Sequence, residues 1–425
     1  MKRISRFACI FAILLVAVFS MNIVSVGVSG LSSGTYYVPG SPIQTEGAYL
    51  AGPTYGDVET NWISTAPNIG NYDYSFSVMG DIQIVNNYFP DYLPAMFDYV
   101  IDNAKARNTR FCFNMGDITD KDKTYEWEAA KKGYDRLGKV MPYAVVRGNH
   151  DGRINMNKYF GGNSSYMDMV DGSYMGKSYM TYQTFSVGIH KYLVLTLDWF
   201  VDEYHLQWAN DVIKAHPDYN AIVLVHCFLG LKGTDVNVAR PVAPTEETNF
   251  PFAAGSTYYT GNLDINGTPW ETKKSKNGID IWNALKGNAN LKLIMGGHIA
   301  YDDVGYWEGT GTNGNKVVGL LVCPQDVDIS VAYATGAWSG AQWKFPTDSA
   351  GYKAGKTGTY YGKPAAIVTN LYVDGSDGSI FVEHYSTVRK QWFKSSSQFE
   401  FNLDLISIND NPNGSYYTPV KGATL

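Results

Sequence analysis

R-F-C-F-N-M-G-D-I-T-D, residues 110–120, reads as a buried strand that breaks at a glycine and delivers two carboxylates to a loop. The apolar run over residues 109–115 lacks the alternation of a half-exposed strand and fits one covered on both faces. Gly116 suits a tight strand-to-loop turn, where a side chain would obstruct close backbone approach. A carboxylate at Asp117 is therefore held by a rigid element.

Outward from that strand, elements alternate. Residues 74–80 read as a buried strand, 92–106 as a helix with apolar spacing, 123–137 as another helix and 142–146 as a strand. Strand, helix, strand, helix, strand implies a mainly parallel sheet under packed helices, with functional loops at the strands' carboxyl ends. Further on come a hairpin at 182–187 and 192–197, a helix at 202–215, a strand at 221–225, a helix at 280–286 and a strand at 291–295. Strands at 316–322, 366–373 and 379–386 are expected to complete a second sheet.

The chain's 425 residues suffice for one large α/β domain with insertions. Residues 1–30 read as a secretory signal, with Lys2, Arg3 and Arg6 before an apolar stretch and small residues after it. The reading continues with a lead-in at 31–73, the main domain at 74–408 and a Pro/Gly/Asn-rich tail at 409–425. Insertions fall at about 152–180, 230–277 and 340–364; the Tyr- and Gly-rich ones suit either a substrate rim or decoration. Loss of the three leader cations takes the net charge from −6 to −9. With no basic cluster in what remains, a stable nucleic-acid complex or an anionic membrane partner is not expected, nor is a membrane span after cleavage. Cys112, Cys227 and Cys323 each lie in apolar runs and read as buried thiols rather than a disulfide scaffold.

The chemistry lies in four further segments that follow strand-like runs: V-M-G-D-I-Q with Asp81, R-G-N-H-D with Asn149, His150 and Asp151, V-L-V-H with His226 and M-G-G-H with His298. A G-D pair alone says little. G-N-H-D downstream of G-D-x-x-D, with two histidines following later strands, is far more specific. Oxygen and imidazole donors suit hard or borderline divalent ions, and a carboxylate bridging two ions makes a clamp for in-line displacement at phosphorus. Asp117 is the natural bridge.

These ordered motifs, from Asp81 to His298, resemble the calcineurin-like metallophosphoesterase pattern D-x-H, G-D-x-x-D, G-N-H-D/E, H and G-H-x-H. The resemblance implies a four-layer α/β/β/α sandwich with two mixed sheets, flanking helices and long loop insertions. It implies two divalent ions (Mn, Mg, Ca, Zn or Fe) bridged by Asp117, with Asn149, His226 and His298 completing one site and Asp81 on the other. His150 would act on the phosphoryl or leaving oxygen, with Asp120 or Asp151 orienting it. Gln83 stands at the His of D-x-H and Ala300 at the last His of G-H-x-H, so both imidazoles expected on the first ion are missing. A Gln carbonyl still ligates hard cations, and Asp302 with Asp303 offers substitute carboxylates.

His190, His205, His216 and His384 read as structural or surface residues. G-T-G-T-N-G at 309–314 precedes a strand rather than a helix and reads as a hairpin loop. The functional expectation is a secreted or cell-envelope enzyme that hydrolyses phosphodiesters or phosphomonoesters of nucleotides, lipid head groups or cell-wall polymers with metal-activated water. The rival is an extracellular binding or adhesion module that keeps the scaffold but has lost catalysis through its altered first site.

Overall fold

The computed structural model describes residues 62–199, 201–232, 240–242, 278–299, 304–327, 364–393 and 399–408. The expected signal, most of the lead-in, nearly all of the two later insertions, the tail, and Ala300, Asp302 and Asp303 lie outside the described residues. The chain divides into two units. The smaller is described at Asn68–Asn71, where Gly70 N–H donates to Asn68 Oδ1 at 3.1 Å. The elements that follow belong to the larger unit.

In chain order the strands are β1 (Trp62–Ile63), β2 (Tyr74–Met79), β3 (Thr109–Asn114), β4 (Tyr143–Ala144), β5 (Gly172–Ser173), β6 (Thr181–Val187), β7 (His190–Thr196) and β8 (Asn220–Leu224). They continue with β9 (Gly230–Lys232), β10 (Arg240–Val242), β11 (Leu291–Gly296), β12 (Gly305–Thr310), β13 (Lys316–Leu321), β14 (Ile367–Val373), β15 (Ser379–Ser386), β16 (Gln391–Phe393) and β17 (Phe399–Asn402). The helices are α1 (Gln83–Tyr88), α2 (Leu93–Asn103), α3 (Thr124–Leu137), α4 (Arg153–Phe160), α5 (Glu203–Ala215) and α6 (Ile279–Leu285).

Two mixed sheets form. One runs β1-β16-β15-β14-β2-β3-β4 with β17 on β15; the other runs β12-β13-β11-β8-β7-β6-β5, and β9 pairs with β10 apart from both. In the first sheet β2, β3 and β4 are parallel while β14 joins β2 antiparallel, Thr369 opposite Val78. The second sheet is parallel across β7, β8, β11 and β13. The expectation that the three late strands complete one sheet is thus corrected: β13 extends the second sheet, while β14 and β15 extend the first. Alternation within a strand decides which faces are buried but not which neighbour it pairs with.

Side-chain alternation explains the layers. Phe76, Val78, Phe111 and Phe113 from the first sheet share a core with Phe185, Tyr192, Val194 and Leu224 from the second. Phe111 and Phe185 stack across it with ring centroids 4.9 Å apart. The opposite faces receive helices. On α3, Trp127, Ala130, Tyr134 and Leu137 recur every three or four residues and are all buried, the stripe that seats a helix on a sheet. Asp202 caps α5, its carboxylate accepting from Tyr204 N–H and His205 N–H at 3.0 Å each. Each fully buried Phe of this core contributes about 1.5–3 kcal/mol relative to exposure.

Residues 152–180, expected to be loop, contain α4, which buries Met156 and Phe160 one turn apart. The G-T-G-T-N-G segment closes the β12–β13 hairpin as expected. Cys112, Cys227 and Cys323 are buried. No helix among the described residues is long and apolar enough to cross a membrane.

Candidate metal centre

Every candidate ligand follows a strand. Asp81 comes after β2, Asp117 after β3, Asn149 and His150 after β4, His226 after β8 and His298 after β11. These strands are parallel within each sheet, so their carboxyl ends bring the loops to a common edge. Two of these candidates sit in the left-handed region, Asp117 with φ 46° and His298 with φ 68°, conformations that cost energy and are maintained by surrounding contacts. Gly116 has φ 96°. A Cβ at Gly148 would overlap the Asp117 carboxylate, so the glycine of G-N-H-D is there for space.

Single ligand atoms of Asp117, His226 and His298 lie within 4.8 Å of one another. His226 Nε2 is 3.2 Å from Asp117 Oδ2 and 2.9 Å from Asn149 Oδ1, and His298 Nδ1 is 2.9 Å from the same Asn149 oxygen. His226 Nδ1 is 2.7 Å from Met115 O. A carbonyl only accepts, so Nδ1 carries the hydrogen, and in the neutral ring Nε2 presents a lone pair to two oxygen acceptors. Acceptors facing one another repel unless a cation or proton lies among them, so this donor set fits a divalent ion. Asp81 adjoins the set, both its oxygens accepting from His298 N–H at 3.0 and 3.3 Å.

The electrostatics agree. Burial opposes charge on His226, yet Asp117 and Asp81 outweigh it and lift the imidazole to about 9. Burial, with His226 adding, holds His298 down to about 3. Burial raises Asp81 to about 7, partly offset by His226. Burial likewise acts against the Asp117 carboxylate, but His226, His150 and His298 keep it well below the usual range. Carboxylates that raise a neighbouring imidazole in this way equally favour a bound cation.

The residues expected around His150 separate. His150 Nδ1 lies 2.8 Å from Asp120 O and 3.5 Å from Asp120 Oδ1, and His150 N–H donates to Asp117 Oδ1 at 3.0 Å. Asn87 Nδ2 fixes the Asp120 carboxylate at 2.8 Å. Burial disfavours the imidazolium, but Asp117 and Asp120 raise the His150 pKa overall. Asp151 instead ties the two motif loops together, accepting from Ile118, Thr119 and Gly148 N–H at 2.9–3.0 Å. Gln83 is buried at the start of α1, with Nε2 donating to Gln325 Oε1 at 3.2 Å. His190, His205 and His216 bond to backbone groups, and His384 to Thr369.

Sequence reasoning missed the loop after β7. Trp199 packs its ring 4.8 Å from His298 and 5.4 Å from His226, walling the histidine pair. Beside it Asp198, fully buried, pairs with Arg147 and Arg153. Arg147 Nη1 also donates to Asp151 O at 2.8 Å, so the arginine of R-G-N-H-D anchors that loop to the second sheet. The available signal was an Asp directly after an apolar strand, as at Asp117.

The sequence model of the family described as calcineurin-like phosphoesterase matches residues 74–302, more than half of the chain. The chain belongs to this family. Over 173 residues it is 31% identical to the uncharacterized protein YvnB of Bacillus subtilis, a match covering 38% of this chain and 13% of that much longer protein. Among solved structures it is similar to a dimetal phosphatase from Danio rerio, at 11% identity and TM-score 0.40, covering 79% of this chain and 99% of the other. It is also similar to GAP50, the anchor in the inner membrane complex of Plasmodium, at 12% identity and TM-score 0.39, covering 83% and 96%.

Proposed function

We propose that this chain is a metal-dependent phosphoesterase, acting on phosphodiesters in preference to monoesters. The observation that carries this reading is the convergence of Asp117, Asn149, His226 and His298 on one point, with His150 on its more exposed side. Two divalent ions, when bound, supply a water of lowered pKa and neutralise phosphoryl charge. Asp117, Asn149, His226 and His298 would hold one and Asp81 with Asp117 the other, Gln83 being the remaining candidate beside Asp81.

The chain's own groups do the rest. The Asp120 carbonyl holds Nδ1 of His150, leaving Nε2 to meet a phosphoryl or leaving oxygen. Against burial, Asp117 and Asp120 raise its pKa, and a protonated ring there would be a donor suited to charge developing in the transition state. Trp199 and the buried Arg147–Asp198–Arg153 cluster keep the histidines and the G-N-H-D loop in place. Asp151 serves the same positioning end through the loop backbone. Substrates outside the cytoplasm, such as nucleotides, lipid head groups or cell-wall polymers, fit the leader of Lys2, Arg3 and Arg6 before an apolar run.

The test compares bis-p-nitrophenyl phosphate with p-nitrophenyl phosphate in the presence of Mn²⁺. Higher kcat/KM for the diester supports the reading, and higher kcat/KM for the monoester overturns the diester preference. Two bound ions with turnover of neither reporter favours the binding-module alternative, which the Gln83 substitution motivates.

A further inference from the structure

The turn that follows β13, Cys323-Pro324-Gln325, lies beyond the matched motifs and touches the Asp81 loop three times over. The Cys323 thiol hydrogen-bonds the Asp81 carboxylate. A Cβ on Gly80 would press on Val322 O and Pro324 Cδ, so the two loops pack backbone to backbone. Gln325 Oε1 accepts from Gln83 Nε2 at 3.2 Å. Gly80, Asp81, Pro324 and Gln325 also line one small cavity together.

The Gln83–Gln325 contact has a directional consequence. An amide has one donor end and one acceptor end. Because Gln325 engages the donor end, Gln83 Oε1 is the end left over, and it is buried without accepting any hydrogen bond. A buried carbonyl in that state is destabilising, a cost that a cation ligated there would remove. Gln83 lies two residues beyond Asp81, which adjoins the His298 backbone.

We propose that Gln83 Oε1 is a ligand of the first ion and that Gln325 is a positioning residue that keeps this oxygen forward. With Asp81 and Asp117 this makes a half-site of oxygen donors, suited to Mg²⁺ or Mn²⁺ rather than to Zn²⁺. The second half-site keeps the imidazoles of His226 and His298. The inference rests on the two-ion reading of the centre but not on turnover.

Equilibrium dialysis of the full chain against Mn²⁺, with bound ion counted per chain, tests it without substrate. The wild type should bind two equivalents. Gln325→Leu should weaken one of them roughly 10–100-fold, the usual effect of removing a partner that orients a ligand, and leave the other unchanged. Gln325→Glu, whose carboxylate still accepts from Gln83 Nε2, should restore it. Wild-type binding of both equivalents by Gln325→Leu, or a Gln325→Glu variant as weak as the Leu variant, overturns the positioning role. If Gln325→Leu does not fold, Gln83→His decides: the Zn²⁺-to-Mn²⁺ affinity ratio at the weaker site should rise at least tenfold, and an unchanged ratio overturns the ligand assignment. Two equivalents that respond as stated, with no hydrolysis of any phosphate ester, would sink the phosphoesterase reading alone.

Discussion

Loading the centre with two divalent ions should expel about one proton per chain at pH 8 and about two at pH 6, because imidazole and carboxylate ligands bind metal only when deprotonated. Two groups set these numbers. Asp117 and Asp81 overcome burial to lift His226 to about 9, and burial lifts Asp81 to about 7. His298, held near 3 by burial, brings no proton. At pH 8 His226 is mostly protonated and Asp81 mostly ionised, whereas at pH 6 both are mostly protonated. Since the groups interact, the protons belong to the cluster rather than to either residue alone. Titration calorimetry with Mn²⁺ in buffers of different ionisation enthalpy reads the release directly as the slope of observed heat against buffer enthalpy. Equal release at the two pH values, or none at pH 8, would refute the reasoning.

The same groups give the metal-free protein a pH-dependent stability. The folded state keeps the His226 proton up to about pH 9, whereas the unfolded chain loses it near 6.5. That contribution is complete below pH 6.5 and is lost as pH rises through 9, so the melting temperature of the chelated protein should fall across that window. A flat melting temperature there contradicts the assignment. Replacing His150 by Gln should lower kcat about 10²–10⁴-fold, the range for general acid–base groups, while dialysis still finds both ions; full turnover would remove it from the chemistry. Gly148→Ala places a methyl group against the Asp117 carboxylate and should cost about 1–3 kcal/mol by denaturant unfolding, as overpacking does. A cost near zero would mean the two loops are not tightly packed.

Much of this was legible because the candidate ligands obey local rules. Asp81, Asp117, Asn149, His226 and His298 each follow an apolar strand, and strand-to-loop transitions are visible in composition alone. Helices α3 and α5 were legible from their apolar stripes. Two short helices were not: α1 has six residues and α4 eight, too few turns for periodicity to accumulate, although the seven-residue α6 was expected at 280–286. Sheet membership was misread for β14 and β15 because pairing is a long-range property; Thr369 of β14 meets Val78 of β2, and no local pattern encodes that partner. Asp198 and Trp199 escaped notice for a related reason. A single Asp-Trp pair after a strand carries no motif, and its importance appears only when Arg147, Arg153, His226 and His298 are found around it. Asp151, expected to orient His150, has its carboxylate on the backbone of two loops, a set of contacts that spacing alone does not encode.

Whether this set of side chains works as a hydrolytic metal centre is decided by hydrolysis of bis-p-nitrophenyl phosphate during a Mn²⁺ titration of the wild type and of Asp117→Asn. Turnover should rise and saturate with Mn²⁺ in the wild type and be absent from the variant at every concentration. Turnover that ignores Mn²⁺, or that survives in Asp117→Asn, would contradict that role.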